Sequence, residues 1–329
     1  MRISRRRERG SALLTVLWLS AALAAIGMSV ASTVRSETER TETNVDDTKA
    51  YFLARGGIER AAMHVFWSRM YSSETGEPLY YGPGMPAMDL AFPGGEVRVE
   101  IIPENSRLSL NGSLPVTLLR LLEALGVAPD RATQITAAIV DWRSPADPMH
   151  PSPFDAFYSA QRPTFLARHA SFQENEELLL VQGMTPDIYY GTSLAGEHAG
   201  LRDCVSVYGS FGGVEINTAQ SATMIAAGLT PDDAAAIVRL RREHPIANAT
   251  EFARIGESLG PSARALVLGG RTMYTLRATA RLRGADGKLS DMRRTAAALV
   301  KVTWPGPADP NTGRSPIPGV EFLRWYDRQ

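Results

Sequence analysis

Cysteine is almost absent from this chain, which has Cys204 alone among 329 residues. A single thiol cannot close a disulfide within the chain, and it cannot complete a zinc or iron–sulfur site built from cysteines. We therefore expect Cys204 to be a small buried hydrophobic residue and not a nucleophile. The cysteine content leaves the redox compartment open.

The chain also lacks net charge, because 35 lysines and arginines balance 35 aspartates and glutamates. This balance argues against a dedicated nucleic-acid binder with a basic field and against a chain kept disordered by self-repulsion. The length suits about two domains.

Catalytic motifs are missing as well. No H-E-x-x-H, G-x-S-x-G, Walker A or G-x-G-x-x-G sequence occurs. The histidines are scattered without the local spacing of metal ligands, at His64, His150, His169, His198 and His244. Isolated histidines are more often surface or core groups than ligands, so the sequence predicts a protein that is not an enzyme.

A long stretch without charge occupies the N-terminal region. Ser11–Val34 holds 24 uncharged residues, about 36 Å of helix, which is enough to cross a bilayer. Residues 1–9 carry five arginines and one glutamate, a net charge of +4. The positive-inside rule therefore places the N-terminus in the cytoplasm and the rest of the chain across the membrane.

Two export signals compete with a permanent anchor for this region. A removable signal peptide would be cut at Ser29-Val30-Ala31, and Arg5-Arg6 could open a twin-arginine signal, although the rest of that pattern is missing. The anchor fits better because the apolar run exceeds the usual 7–15 residues and helical spacing continues to about Met70. The sequence thus predicts one helix from Ser11 to near Met70.

Strand patterns lie on both sides of a helical middle. Residues 71–95 hold five glycines and four prolines, which favours a surface loop, and Glu96–Pro103 then alternates as a strand does. Thr272–Arg283 and Arg294–Trp304 alternate around a glycine-rich turn and predict a hairpin. We therefore predict an α+β protein in which a β domain is interrupted by a large all-α insertion. The predicted β domain comprises 71–104 and 271–304, and the insertion comprises 105–270.

The insertion contains an internal repeat. Gly126–Ala132 (GVAPDRA) recurs as Gly228–Ala234 (GLTPDDA), with glycine placed to end one helix and proline to begin the next. The repeat predicts two related units that are similar to helix-hairpin-helix motifs. Neither turn has the compact Gly-x-Gly that would grip a phosphate, and acidic residues lie where a phosphate would approach. We therefore expect a packed interaction domain, with nucleic acid an unfavoured partner.

The proline-rich tail, residues 305–329, leaves two alternatives open. It holds five prolines by Pro318 and then the segment Val320–Tyr326 (VEFLRWY). It is either a disordered end or a short segment that docks on a partner.

The junction Arg9-Gly10-Ser11 resembles the leader of type IV prepilin-like proteins. The resemblance implies that a membrane prepilin peptidase removes residues 1–10 by cutting after Gly10, that Ser11 is then methylated, and that the apolar helix remains. Members usually have glutamate at mature position five, where this chain has Thr15. Cleavage would leave 30 lysines and arginines against 34 aspartates and glutamates, a net charge of −4.

In combination, these features resemble the minor pseudopilin K family (general secretion pathway protein K) of type II secretion systems. The matching stretches are Asn105–Asn111 (NSRLSLN), Ile139–Trp142 (IVDW), Glu177–Thr185 (ELLLVQGMT) and Val214–Ser221 (VEINTAQS). The resemblance implies an inner-membrane helix at 11–34, its periplasmic continuation at 35–70, and a pseudopilin β domain carrying the insertion. It also implies a place at the tip of the periplasmic pseudopilus, which the protein would help to initiate with the minor pseudopilins I and J for export across the outer membrane. The missing glutamate at Thr15 is typical of this member, because a tip subunit has no subunit above it.

The resemblance further implies a calcium-binding loop after Trp142. Calcium takes about six to eight oxygen ligands, and the acidic residues near this loop are Asp141, Asp147 and Asp155. These aspartates are candidate calcium ligands, and the alternative is that they form turns and caps.

Two other functions stay open at this point: a type IV pilus minor pilin, and an exported helix-hairpin-helix module for DNA uptake.

Overall fold

The chain begins with one long helix. The computed structural model describes residues 8–71, 73, 78–147, 149, 151–191, 199–307, 313 and 315–327, without the side chains of residues 8–11. Helix α1 runs through Glu8–Trp67, close to the predicted range. Its last third is amphipathic, because Ala50, Ala54 and Ile58 recur on one face and are fully buried.

Helix α1 packs on a five-stranded antiparallel sheet. The strands of the chain are β1 (Ala87–Phe92), β2 (Gly95–Pro103), β3 (Leu108–Ser109), β4 (Val205–Ser206), β5 (Val214–Glu215), β6 (Leu266–Val267), β7 (Met273–Leu282), β8 (Arg294–Thr303) and β9 (Gly319–Tyr326). The sheet has the order β1-β2-β7-β8-β9. Because β2 pairs with β7 across the insertion, both sides of the chain contribute to one sheet.

Alternation along the strands gives the sheet one apolar face and one charged face. Val99, Leu276 and Val300 are fully buried and pack with α1. Helix α1 approaches closely at Gly57, where a Cβ atom would lie 2.5 Å from Cγ1 of Val97. The opposite face carries ion pairs such as Arg277 with Glu100.

The insertion is mainly helical. Its helices are α2 (Pro115–Ala124), α3 (Pro129–Arg143), α4 (Asp155–Ser159), α5 (Pro186–Tyr190), α6 (Leu201–Cys204), α7 (Ser221–Ala227), α8 (Pro231–Glu243) and α9 (Ala249–Leu259). The repeat forms two helix pairs, α2 with α3 and α7 with α8, which join because α2 packs on α7. Gly126 and Gly228 have positive φ after the first helix of each pair, and proline begins the second, as predicted. Thr230 caps α8 by accepting a hydrogen bond from the Asp233 amide.

The predicted α+β class is confirmed, and three details differ from the prediction. Strand β1 lies inside residues 71–95, which were predicted as a loop. Strand β9 forms the last third of the predicted tail and pairs with β8, so Gly319–Tyr326 is an ordered part of the chain's own sheet and not a disordered end. The insertion also contains two short parallel strand pairs, β3 with β4 and β5 with β6, where an all-α domain was predicted.

Candidate anchoring and assembly sites

The predicted processing site lies near the start of α1. Gly10 and Ser11 are within the helix, but their side chains and residues 1–7 of the predicted leader lie outside the described part. Thr15 is described and exposed. Cleavage after Gly10 and methylation of Ser11 therefore stay predictions.

Helix α1 is long and apolar enough to cross a membrane. Among the described residues it alone has this length and composition, and its most apolar stretch has no part buried by the rest of the chain. Leu13, Leu17 and Trp18 are all exposed. In water such a surface would be costly, whereas in lipid it is favourable, so that the stretch suits a single membrane anchor.

A buried carboxylate joins the insertion to the sheet. Glu104 follows β2 in a short 3-10 turn, and it is 2% exposed. It accepts hydrogen bonds from Oγ1 of Thr275 on β7, at 2.6 Å, and from Oγ of Ser206 on β4. Arg107 supplies the positive charge, with Nη1 at 3.1 Å from Oε1. One side chain thus bonds to the sheet and to the insertion, and its charge is compensated.

Two asparagines hold together backbone segments that are distant in sequence. Asn105 donates to the Gly269 carbonyl and accepts from the Arg271 amide, each at 3.2 Å. Asn217 donates to the carbonyls of Pro83 and Ile246 and accepts from the Ile246 amide. Buried backbone groups need hydrogen-bond partners. Each asparagine side chain supplies such partners at a place where distant segments meet without regular strand pairing.

Glu215 completes the same junction. Its carboxylate accepts from the Thr218 amide and hydroxyl and from the Gly269 amide. Burial raises the pKa of the Glu215 carboxyl above its ordinary value, although the hydrogen bonds oppose this. Glu104, Asn105, Glu215 and Asn217 lie in the stretches NSRLSLN and VEINTAQS or directly before them. The sequence marked these stretches by resemblance only, and it did not predict that they meet at one junction.

The three candidate calcium ligands have different hydrogen-bond surroundings in the described part of the chain. Asp155 contacts Nε2 of His169 through Oδ1 at 3.0 Å, and Asp147 accepts from the Met149 amide in an exposed loop. Asp141 has a buried Oδ2 without a hydrogen-bond partner. No group of three or more histidine, cysteine or acidic side chains in the described ranges could hold a metal. The geometry therefore does not fit a calcium ion bound by these three aspartates.

The Asp155 contact changes the neighbouring histidine. Burial opposes protonation, but the hydrogen bond to Asp155 and its charge raise the pKa of His169 above the ordinary value. His150 and His198 lie outside the described residues.

Cys204 is buried, as predicted, and burial raises the pKa of its thiol to about 12. A thiol in this environment is protonated and unreactive.

Strand β9 contacts all three parts of the fold. It pairs with β8, and the guanidinium of Arg55 on α1 lies 4.6 Å from the ring centroid of Trp325. The Tyr51 hydroxyl donates to Asp327 at 3.1 Å. Arg324 forms an ion pair of 2.7 Å with Glu174 of the insertion. The C-terminal strand therefore links α1, the sheet and the insertion.

Comparison with known proteins relates this arrangement to secretion machinery. The family model described as "Type II secretion system (T2SS), protein K" matches residues 108–191, which lie in the insertion. The Type II secretion system protein K of Klebsiella pneumoniae is 27% identical over 197 residues, covering 56% of this chain and 60% of that protein. The match thus spans about three fifths of the length of that relative.

A solved structure has the same fold. It is the crystal structure of the GspK-GspI-GspJ complex from the enterotoxigenic Escherichia coli type 2 secretion system, and the similar chain has a TM-score of 0.57 and 14% identity. The similarity covers 88% of this chain and 99% of that chain. These matches confirm the resemblance predicted from sequence, and they favour neither the pilus minor pilin nor the DNA-uptake module.

Proposed function

We propose that this chain, a relative of protein K of type II secretion systems, is a minor pseudopilin anchored in the inner membrane by α1. Its sheet and insertion lie in the periplasm, and its N-terminus lies in the cytoplasm. The protein performs no catalysis. Its role is to initiate assembly of the pseudopilus, at the tip, for protein export across the outer membrane.

The observation that carries this proposal is the free length of α1. From Ala12 to Lys49 the chain's own body covers only Asp46 and Asp47, and those only in part. This length is about 57 Å, roughly twice the hydrocarbon core of a bilayer. A helix that only anchored a domain would end near the membrane surface. The part of α1 that extends beyond the bilayer is suited to packing against other helices outside the lipid.

The partners are the minor pseudopilins I and J. The structural neighbour was crystallised as a complex named GspK-GspI-GspJ, and this chain covers nearly all of the matched chain in that complex. Thr15 supports the tip position. A glutamate at this position would neutralise the N-terminal amine of a neighbouring subunit above it, and a tip subunit has no such neighbour. A carboxylate without that neighbour would be costly in lipid.

Processing by the prepilin peptidase tests the proposal. Co-expression with the peptidase should shorten the chain by the ten residues of the leader, so that Ser11 becomes the N-terminus, and mass spectrometry of the intact protein measures this. Gly10→Val, which adds bulk at the cleaved bond, should keep the full length, whereas Gly27→Val in the same helix should be cleaved normally. Retention of residues 1–10 in the unmodified chain, or cleavage near Ala31, would contradict the proposal.

A further inference from the structure

An uncharged line of residues follows one side of α1 beyond the apolar stretch. Its members are Val34, Thr38, Thr41, Val45, Thr48 and Phe52, here called the seam. They are spaced alternately by four and three residues, which is the period of a left-handed coiled coil. All eight charged residues between positions 35 and 49 lie off the seam. The segment is therefore amphipathic, although it contacts little of its own protein.

The threonines of the seam present methyl groups outward. Oγ1 of Thr38, Thr41 and Thr48 donates to the carbonyl four residues earlier, at 2.9, 2.7 and 2.8 Å respectively. Because each hydroxyl is satisfied within the helix, the threonine side chain offers a β-branched apolar surface similar to that of valine. The seam thus becomes more apolar than its composition indicates.

The seam faces away from the sheet. By helical geometry it lies about 160° around the axis from the face of Ala50, Ala54 and Ile58 that packs on the strands. Val45 is 46% exposed and Phe52 is 61% exposed. The protein's own body therefore cannot cover the seam without detaching from the other face of the same helix.

The seam continues into the membrane with the same spacing. Leu13, Leu17, Ser20, Ala24, Gly27 and Ala31 extend it, and the small residues among them allow close approach of a second helix. An occupant must follow this line through lipid and for about 27 Å beyond it. A soluble partner cannot do so. The occupant is itself a membrane-anchored helix, and under the proposed function it runs parallel to α1.

Charges beside the seam oppose pairing with a second copy. In a parallel pair, residue 37 of one helix lies opposite residue 42 of the other, which would place Glu37 against Glu42 on both sides. Glu37 is 62% exposed despite its contact with Arg40, so it is available to a partner. A helix with lysine or arginine opposite Glu42 would attract where a second copy repels.

From these observations we propose that the seam binds the N-terminal helix of a different membrane-anchored subunit, which carries a basic residue opposite Glu42. The inference rests on the proposed function for the parallel direction. It specifies which side of α1 makes the contact and why the contact is between unlike chains.

Photocrosslinking in cells that express the complete secretion operon tests the proposal. p-Benzoylphenylalanine at position 45, in the seam, should form an adduct with a second membrane-anchored helix, identified by mass spectrometry. The same group at position 43, on another side of the helix, should not. A homodimer, or no adduct at position 45, would overturn the proposal. An adduct with a membrane helix from outside the secretion system would support the seam as a helix-binding surface, but it would contradict the proposed function.

A matched pair of variants measures the contribution of the seam. Thr41→Lys places a charge in it and should reduce the adduct at position 45 about tenfold. Thr43→Lys is the control, because Thr43 lies off the seam and its hydroxyl also donates four residues back, at 2.8 Å. Equal loss in both variants, or in neither, would overturn the proposal.

Reversing one charge tests the choice of partner. Glu37→Lys would face Glu42 of a second copy, so homodimer adducts at position 45 should appear, whereas Glu39→Lys, off the seam, should yield none. Absence of homodimer adducts in Glu37→Lys would overturn the charge argument.

Discussion

At the level of single residues, Asp155 stabilises the segment after α3 through its contact with His169. Asp155→Ala removes this hydrogen bond and should lower the free energy of unfolding by about 1 kcal/mol. Urea unfolding of the fragment beginning at residue 35 measures the change. Asp147→Ala is the control, because Asp147 is exposed and accepts a hydrogen bond from the Met149 amide two residues away. An equal loss of unfolding free energy in both variants would show that the contact with His169 contributes no more to stability than a local turn does.

Calcium addition to the same fragment tests the remaining prediction for the three aspartates. Because Asp155 contacts His169 and the described side chains form no group that could hold a metal, we expect calcium to leave the melting temperature unchanged. A rise in melting temperature that Asp141→Asn and Asp155→Asn both remove would show instead that these side chains move together around an ion.

Single residues also show where sequence reasoning stops. The burial of Cys204 followed from its residue type. The role of Asn105 did not, because its two partners, Gly269 and Arg271, lie more than 160 residues away. A buried polar residue such as Asn105 needs a hydrogen-bond partner. The identity of that partner depends on the tertiary fold.

At the level of elements, the turn of each repeated helix pair depends on a glycine. Gly228 has φ of +124°, which residues with a side chain rarely adopt, although a Cβ atom there would meet nothing within 4 Å. Gly228→Ala should therefore cost about 1 kcal/mol through backbone strain alone. Gly212→Ala is the control, because a Cβ atom there also meets nothing within 4 Å and its φ is ordinary. Thermal unfolding of both variants checks this, and equal stabilities would contradict the assigned role.

Strand β9 should contribute measurably to stability. Trp325 stacks on Phe322 with ring centroids 5.0 Å apart and lies under Arg55. Trp325→Ala should cost about 2 kcal/mol in urea unfolding, less than for a fully buried tryptophan. Leu323→Ala, at the bulge in this strand, is 39% exposed and should cost under about 1 kcal/mol. Equal losses would indicate that Trp325 packs no better than its exposed neighbour.

The elements that local patterns predict best are those with strong periodicity. Helix α1 and strands β2, β7 and β8 lie within a few residues of their predicted ranges. Strand β1 was missed because its six residues lie in a segment dominated by glycine and proline. Strand β9 was missed because it follows a proline-rich stretch, and its pairing depends on the free edge of β8. Edge strands are specified by their neighbours as much as by their own sequence.

At the scale of the whole molecule, the chain crosses between sheet and insertion twice. The first crossing is at Glu104–Arg107 and the second at residues 267–272. Glu104 bonds the first crossing to the sheet and Asn105 bonds it to the second crossing, while Glu215 of the insertion bonds to Gly269 in the second crossing. Because these contacts are buried, we expect the sheet and the insertion to unfold together, in one transition.

Glu104→Ala tests this coupling. The variant leaves Thr275, Ser206 and the Arg107 guanidinium without their shared acceptor in a buried site, so the free energy of unfolding should fall by about 3 kcal/mol. Calorimetry of the fragment from residue 35 should show a single transition in the unmodified protein and a lower, broader or divided one in the variant. Glu96→Ala is the control, because its 2.7 Å pair with Arg283 is solvent-exposed and should contribute under about 1 kcal/mol. A Glu104→Ala protein that melted like the control would show that apolar packing alone joins the insertion to the sheet.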